Sequence, residues 1–237
     1  MLVSREKVMV AGVVPVFNPE PGLAALVAGL LQDYAVVVVV DDGSVESAEK
    51  FDELPREVVL LRHKANAGKG RAIKTAFEWL IANRPDVMGA VFVDGDGQHR
   101  RDDVRAVVEK MLETDDATFG VRDFFSPSIP FRSRFGNVFS AGIVRLLLGL
   151  RLGDTQTGLR AIPARLFGAM AQVPGERYEY EIGMICEIAK SRETLRQVPI
   201  STIYIESNAS SHFRPVADSI KINCALFKAA FTRRRRK

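Results

Sequence analysis

Two aspartates separated by one glycine, Asp94 and Asp96, directly follow the apolar run 90–93. Carboxylates at this spacing on a turn can both bind one hard cation, such as Mg²⁺ or Mn²⁺, and that cation can bridge diphosphate oxygens. Gln98 or His99 could complete the ligand set. The alternative is a plain turn in which the aspartates bond backbone amides. The position after an apolar strand favours the metal site.

Two more polar clusters also follow apolar runs. Asp41 and Asp42 come after a run of valines, and residues 66–70, with the sequence Asn-Ala-Gly-Lys-Gly, come after the next run. The aspartates could bond a base edge or ribose hydroxyls, and Lys69 could meet a phosphate beside glycines that allow close approach. Turn and helix-start chemistry is the alternative for both clusters.

Two common nucleotide-binding motifs are absent from the sequence. Residues 66–70 lack the four-residue gap between glycines, and the Ser or Thr after the lysine, that define a Walker loop. The first strand is followed by no G-x-G-x-x-G, because residues 14–18 are Val-Pro-Val-Phe-Asn. The sequence therefore disfavours a kinase and a hydride-transfer enzyme.

Apolar periodicity predicts alternating strands and helices through the first two-thirds of the chain. Five consecutive valines at 36–40 are typical of a strand buried on both faces, as in a parallel sheet. The predicted strands are 8–16, 36–40, 58–61, 90–93 and 118–121, and the predicted helices are 19–31, 69–83 and 102–113. This order predicts an α/β fold with a doubly wound, mostly parallel sheet and helices on both faces. Ligands of such sheets bind at the carboxyl ends of the strands, where the three polar clusters fall.

The rest of the chain is less regular. A long loop is predicted at 122–134, helices at 134–150 and 179–190, and strands at 159–162 and 198–205. Apolar residues between Val216 and Phe231 are spaced as in an amphipathic helix that leads into a basic end. No repeat or linker is visible. We therefore predict one main domain over 1–214, followed by a C-terminal amphipathic helix and basic tail over 215–237.

Composition limits the class of protein. The chain has 237 residues, 47% of them hydrophobic, which is enough for one α/β core. Cys186 and Cys224 match no zinc or redox spacing and are predicted to be buried thiols in a reducing compartment. Neither a signal peptide nor an apolar stretch of about 18 residues is present, so a soluble or peripheral protein is predicted.

Charge is concentrated at the end of the chain. The net charge is +4, but residues 233–237 alone carry +5, which leaves −1 for all the others. Such a basic end can bind anionic lipid head groups, bind nucleic acid nonspecifically, or be simply solvated.

The ordered set of motifs resembles that of the family 2 glycosyltransferases, which have the GT-A fold. Within that family it is most similar to the group of dolichyl-phosphate mannose synthases and other polyprenyl-phosphate glycosyltransferases. The resemblance covers nearly the whole chain. It rests on residues 15–19, 41–44, 66–70, 94–99, 120–122, 132–137, 154–160, 178–181 and 211–213.

The resemblance implies a role for each motif by its position. It implies that the nucleotide sugar is bound by Pro15, Phe17, Asn18, Asp41, Asp42, Lys69, Asp94, Gly95 and Asp96. It implies metal ligands Asp94, Asp96 and Gln98, acceptor-phosphate arginines Arg122, Arg132 and Arg134, and a lid containing His212 and Arg214. Asp96, Asp154 and Arg122 would be catalytic. Asp154 is the candidate base if the acceptor is a hydroxyl, and a structural aspartate is its alternative. Glu179 and Glu181 are predicted to be structural.

The implied activity is inverting transfer of a hexose from a GDP-mannose or UDP-glucose type of donor to a polyprenyl (dolichyl or undecaprenyl) phosphate, with Mg²⁺ or Mn²⁺ as cofactor. A cytoplasmic location at the inner face of the cell membrane is predicted, with a small integral membrane protein as a partner and no specific nucleic acid. One alternative is a family 2 glycosyltransferase with a soluble sugar or polysaccharide acceptor. Another is a non-catalytic nucleotide-sugar-binding regulatory protein, against which the intact carboxylate pair argues.

Overall fold

A computed structural model describes residues 7–122 and 131–201, without the side chains of residues 131–136, 138 and 139. Its centre is a seven-stranded sheet in the order β3-β2-β1-β4-β6-β5-β7. The strands are β1 (Val8–Val16), β2 (Tyr34–Asp41), β3 (Val59–Arg62), β4 (Gly89–Phe92), β5 (Ala117–Arg122), β6 (Arg160–Pro163) and β7 (Leu195–Ile200). The sheet confirms the predicted mostly parallel α/β fold.

Strand β6 is the antiparallel member of the sheet. It lies between β4 and β5 and pairs antiparallel with both, whereas the other neighbouring strands pair in parallel. Because β6 runs in reverse, the chain enters it at the edge where the parallel strands end. The loop before β6 therefore lies beside the loops that leave β4 and β5.

Alternate residues of the central strands pack into two separate apolar layers. In β2, Val36, Val38 and Val40 face one layer, and Val37 and Val39 face the other. The first layer is covered by helices α2 (Lys69–Asn83), α4 (Phe131–Leu148), α5 (Phe167–Ala171) and α6 (Glu179–Lys190). The second is covered by α1 (Leu23–Asp33) and α3 (Arg101–Thr114). The unbroken valine run thus reflects burial on both faces.

Two predicted helices, 69–83 and 179–190, have the same bounds in the structure. The helix predicted from residue 19 begins only at Leu23, because residues preceding a proline avoid helical geometry and Glu20 precedes Pro21. The predicted loop 122–134 is wrong at its end, since α4 already begins at Phe131, directly after Pro130. Residues 123–130 lie outside the described part.

Strand β7 begins at Leu195, three residues before the predicted start at 198. It is an edge strand with exposed polar residues, so its amino-terminal half lacks an apolar signal. Two 3-10 helices, 48–53 and 164–166, and the five-residue α5 were not predicted. They are too short for apolar periodicity to reveal. Among the described helices, none has the length and apolar character needed to cross a membrane.

Candidate active site

A pocket of about 50 Å³ lies at the edge of the sheet where the parallel strands end. The turn after β4 supplies one wall, and Arg122 at the end of β5 supplies another. The loop before β6 and the end of β7 close the rest. The lining residues are Asp94, Asp96, Gln98, His99, Arg122, Gln156, Thr157, Gly158, Ile200 and Ser201. The carboxylate turn and Arg122, predicted from separate motifs, therefore face one space.

The two carboxylates of the turn have different surroundings. Lys69 Nζ lies 2.7 Å from Asp94 Oδ1, and His99 Nε2 lies 3.8 Å from Asp94 Oδ2. Burial by itself raises the pKa of Asp94, but the positive charge of Lys69 and the neighbouring His99 lower it by more. This pKa therefore lies well below its ordinary value. Asp96 Oδ1 accepts the backbone N–H of Gln98 at 3.0 Å. The pKa of Asp96 is raised by burial and by the charge of Asp94.

This donor set fits a hard divalent cation. Carboxylate and amide oxygens of Asp94, Asp96 and Gln98 are the ligand type that Mg²⁺ and Mn²⁺ take. In residues 7–122 and 131–201, no three His, Cys, Asp or Glu side chains converge as a metal site. Mg²⁺ commonly uses one or two protein carboxylates plus substrate phosphates, so a donor diphosphate would have to supply the missing ligands. Burial and the charge of Asp94 raise the pKa of Asp96, and a cation bound there would lower it.

Arg122 is held by a buried ion pair with Asp154. Its Nε donates to Asp154 Oδ2 at 2.6 Å and its Nη2 donates to Asp154 Oδ1 at 3.2 Å. Asp154 is 0% exposed, whereas the Arg122 side chain is 28% exposed and lines the pocket. The fork of the guanidinium matches both carboxylate oxygens, which fixes its orientation. Asp154 thus lies behind Arg122 and orients it towards the pocket.

Asn137 of α4 fixes the loop that carries Asp154. Its Nδ2 donates to the carbonyl of Gly153 at 2.7 Å, and its Oδ1 accepts the backbone N–H of Thr155 at 3.0 Å. Asn137 is 1% exposed, so both bonds are shielded from water. The site loop is therefore attached to α4 through one buried amide.

The residues predicted to bind the nucleoside lie at the ends of β1 and β2, outside the lining of this pocket. Asn18, in a left-handed conformation at φ 53°, accepts the backbone N–H groups of Val45 and Glu46 at 3.1 Å through its Oδ1. Asp41 Oδ1 accepts the backbone N–H of Ser44 at 2.8 Å. Pro15 is buried, and Phe17 and Gly95 are partly buried. These contacts join the two strand ends into one surface.

Asp42 shapes the loop before α2. Its carboxylate accepts the backbone N–H groups of Ala67 at 3.0 Å and Gly68 at 2.7 Å, and its Oδ1 lies 2.7 Å from His63 Nδ1. With 2% exposure, Asp42 is buried beneath the loop. These bonds fix the loop directly before Lys69, the first residue of α2.

Four of the predicted site residues have no described side chain. Arg132 and Arg134 lie in the first turn of α4, and their side chains are not described. His212 and Arg214 lie outside the described residues, as does the segment 215–237.

Sequence reasoning missed part of the pocket. Gln156, Thr157 and Gly158 were noted only within a motif, and Ile200 and Ser201 were not singled out. Position 158 requires glycine, since a methyl group there would overlap the Asp94 carboxylate. The signal in the sequence was the polar stretch 154–158 directly before a predicted strand.

The family follows from a direct comparison. Residues 13–167 match the family model described as glycosyl transferase family 2. This match spans most of the described sheet and its site turns. The chain belongs to glycosyl transferase family 2.

Two relatives are similar over most of the chain. An uncharacterized protein of Methanocaldococcus jannaschii, MJ1222, is 32% identical and covers 88% of this chain and 86% of its own length. A UDP-N-acetylglucosamine–dolichyl-phosphate N-acetylglucosaminyltransferase of Methanococcus voltae is 28% identical, covering 82% of this chain and 85% of its own.

Solved structures share the fold. Mannosyl-3-phosphoglycerate synthase from Rubrobacter xylanophilus superposes with a TM-score of 0.69 at 16% identity, covering 96% of this chain and 74% of that one. Rv0371C of Mycobacterium tuberculosis, solved as a complex with manganese, gives a TM-score of 0.52 at 13% identity, covering 83% and 90%. At these identities the likeness shows the fold, which is that of nucleotide-sugar transferases.

Proposed function

We propose that this glycosyltransferase moves a hexose or N-acetylhexosamine from a nucleotide-diphosphate sugar to a polyprenyl phosphate. One observation carries the proposal: the carboxylate turn of Asp94 and Asp96 and the oriented guanidinium of Arg122 face the same pocket. The first can hold a metal and a donor diphosphate, and the second can bind an acceptor phosphate. The Methanococcus voltae relative, whose name includes dolichyl phosphate, supports the lipid acceptor.

The proposed reaction is a direct displacement. A phosphate oxygen of the acceptor attacks the anomeric carbon, the bond from that carbon to the diphosphate breaks, and the nucleoside diphosphate leaves with the electron pair. Attack opposite the leaving group inverts the anomeric configuration. A phosphate monoester has its second pKa near 6, so it is largely a dianion at neutral pH and needs no protein base. This is consistent with a positioning role for Asp154.

The chain's own residues bind and orient both substrates. Asp96, Asp94 and Gln98 would hold Mg²⁺ or Mn²⁺, which when bound offsets the negative charge that develops on the diphosphate. Lys69 adds a fixed positive charge beside the turn. Arg122 lines the pocket and would donate to an acceptor phosphate there, while Asp154 holds its guanidinium from behind.

Arg132 and Arg134 are proposed to extend the acceptor site. They lie in the first turn of α4, and Asn137 in the next turn bonds the loop of Asp154. This contact joins α4 to the loop of Asp154, which supports an acceptor role for the two arginines. Residues 211–214, with His212 and Arg214, are proposed as a lid over the donor.

The C-terminal segment is proposed to hold the enzyme at the inner face of the membrane. Residues 215–237 combine amphipathic spacing with five consecutive basic residues, and each basic residue contributes roughly 1 kcal/mol near an anionic surface. We expect the full chain to co-sediment with vesicles containing phosphatidylglycerol, and a variant with residues 233–237 changed to Gln to stay in the supernatant at moderate salt. Equal binding of both would contradict the tail's role. Binding that stays weak in both would favour a membrane protein partner.

The activity is tested by release of nucleoside diphosphate. The enzyme is incubated with Mn²⁺ or Mg²⁺, a panel of nucleotide sugars and a short polyprenyl phosphate in detergent. We expect release that requires both metal and lipid phosphate and disappears in Asp96→Ala. Asp102→Ala removes an exposed aspartate six residues away and is the matched control.

Three other outcomes decide between the alternatives. Release with a sugar or polysaccharide acceptor, but not with lipid phosphate, would assign a soluble acceptor. Donor binding without turnover would favour a regulatory protein. Absence of both binding and turnover across the panel would contradict the proposal.

A further inference from the structure

A row of alternating charges, buried at one end and partly exposed at the other, lies beneath the carboxylate turn. Lys69 Nζ lies 2.7 Å from Asp94 Oδ1 and 3.1 Å from Glu181 Oε1. The same Glu181 oxygen lies 3.8 Å from Nη2 of Arg160. From the core to the pocket the order is thus Arg160, Glu181, Lys69 and Asp94, with signs that alternate. The sequence predicted Glu181 to be structural. Its carboxylate contacts Lys69, which in turn contacts Asp94 of the proposed metal site.

Arg160 anchors this row rigidly. It is 2% exposed, its Nε donates to the carbonyl of Thr157 at 2.9 Å, and its Nη1 donates to the carbonyl of Glu181 at 2.7 Å. Its guanidinium also lies 4.6 Å from the centre of the Phe119 ring. Nη2 has no hydrogen-bond partner in the described part of the chain, and the Glu181 carboxylate is the anion beside it. Glu181 is therefore held in place, and with it the ammonium of Lys69.

Asp94 is enclosed on several sides by protein. Lys69 contacts Oδ1, His99 lies near Oδ2, and Gly158 packs so closely that a methyl group would overlap the carboxylate. Asp94 and Asp96 are both partly exposed, but the contact of Asp96 is to the backbone N–H of Gln98 rather than to a charged side chain. The two carboxylates are thus not equivalent ligands before a donor arrives.

We propose that Lys69 is a resident cation of the donor site, held by the positioning residue Glu181 so that it occupies Asp94 until the donor binds. The free protein then presents Asp96 as its main metal-binding carboxylate. A donor diphosphate supplies the further oxygens that a hard cation requires. The inference rests on the proposed nucleotide-sugar function and adds an order to it: the metal binds weakly alone and tightly with the nucleotide.

Linkage gives this order a measurable form. If a nucleoside diphosphate tightens Mn²⁺ binding by some factor, Mn²⁺ must tighten nucleotide binding by the same factor. Removing the ammonium of Lys69 would free Asp94 for the metal and also remove a positive charge near the cation. Mn²⁺ affinity in the absence of nucleotide should then rise, whereas general damage to the site would lower it. The sign of the change therefore separates the two roles.

The experiment titrates Mn²⁺ into the full-length protein and follows the electron paramagnetic resonance signal of free Mn²⁺, with and without GDP or UDP. Lys69→Met is compared with the wild type and with Lys64→Met, which changes an exposed lysine in the same loop. The double variant Lys69→Met/Glu181→Gln removes one charge of each sign and so keeps the charge of the row balanced. Circular dichroism checks that each variant is folded.

We expect Mn²⁺ without nucleotide to bind about tenfold more tightly to both Lys69 variants, because Asp94 is then free to bind the metal. The double variant removes no net charge, so its gain reports the release of Asp94 and not the loss of a positive charge. The Lys64 variant should match the wild type. Unchanged or weaker Mn²⁺ binding in a folded Lys69 variant would overturn the inference. So would wild-type protein that binds Mn²⁺ equally well with and without nucleotide, a result that needs no variant. Wild-type protein that binds neither GDP nor UDP with Mn²⁺ would instead contradict the proposed function.

Discussion

Replacing Asp154 by Asn tests whether this aspartate positions Arg122. The substitution keeps the volume and one acceptor oxygen, but it removes the charge that two guanidinium N–H groups contact at 2.6 and 3.2 Å. Breaking a fully buried pair typically costs about 3–5 kcal/mol. Because the Arg122 side chain is 28% exposed, water can solvate part of its charge. We therefore expect a loss of about 2–3 kcal/mol in the free energy of unfolding.

Urea denaturation measures this loss directly. With a slope of about 2–3 kcal/mol per molar urea for a chain of this size, the midpoint should fall by about 1 M. The backbone N–H of Gln156, which donates to Asp154 Oδ1 at 2.9 Å, can still be accepted by the Asn oxygen. The loop should therefore keep its fold, and the slope, which scales with the surface exposed on unfolding, should be unchanged.

Activity separates positioning from base catalysis. If Asp154 orients Arg122, Asp154→Asn should lower the rate of nucleoside diphosphate release by about 10²-fold and leave the shape of the pH–rate profile unchanged. Arg122→Lys keeps the charge but loses the bidentate fork, so it should have a similar effect. The double variant should then be little worse than either single variant, since the two residues act as one unit.

Two results would refute this reasoning. If Asp154→Asn removed the acidic limb of the pH–rate profile, Asp154 would be a general base. If the effects of the two single variants multiplied in the double variant, the ion pair would not be the unit that acts on the acceptor.

Three further predictions concern stability and the metal site. Asp33→Asn should destabilise the protein by about 1–2 kcal/mol at pH 7, measured by urea denaturation. Burial raises the pKa of Asp33, but two arginines of α3 lower it by more, so the folded pKa lies below its ordinary value. The stabilisation is therefore fully present above the unfolded pKa of about 4 and is lost as the pH falls through the lower folded pKa. Asn137→Ala should lower the free energy of unfolding by about 2–4 kcal/mol, measured in the same way, because it leaves buried groups of loop 153–155 unpaired. Gly158→Ala should weaken Mn²⁺ binding in the presence of nucleotide about tenfold or more by displacing the first carboxylate of the turn, whereas Gly142→Ala, in open space on α4, should leave binding unchanged and stabilise the helix by about 0.5–1 kcal/mol.

Much of the fold could be predicted because its signals are local. The valine run marks a strand buried on both faces, and the apolar spacing of residues 69–83 gives the bounds of α2. Signals failed where burial is slight or elements are short. The edge strand β7 has exposed polar residues, and α5 has only five residues. The reversed direction of β6 is not encoded in its four residues, since it depends on which strands flank it.

The site was predicted residue by residue, but not as a set of contacts. Position after a strand indicated Asp94 and Asp96, and a resemblance indicated Arg122 and Asp154. That Asp154 lies behind Arg122, and that Lys69 contacts Asp94, depends on packing between segments distant in the sequence. The assigned roles of these residues stay predictions until the variants are measured.

The position of β6 has a consequence for the order in which parts of the protein fold during synthesis. Strands β4 and β5 do not pair with each other, and β6, some 70 residues after β4 in the chain, joins them. A nascent chain that has emerged only to residue 159 can form the parallel half of the sheet with the carboxylate turn, but it lacks the bridging strand that sets the Asp154 loop against that turn. On the proposed function, the ability to bind an acceptor would then arise late in synthesis, after the half proposed to bind the nucleotide has folded. A ribosome stalled with the chain exposed to that residue should accordingly show a folded amino-terminal half, whereas β5, which lacks both its neighbours, remains sensitive to protease.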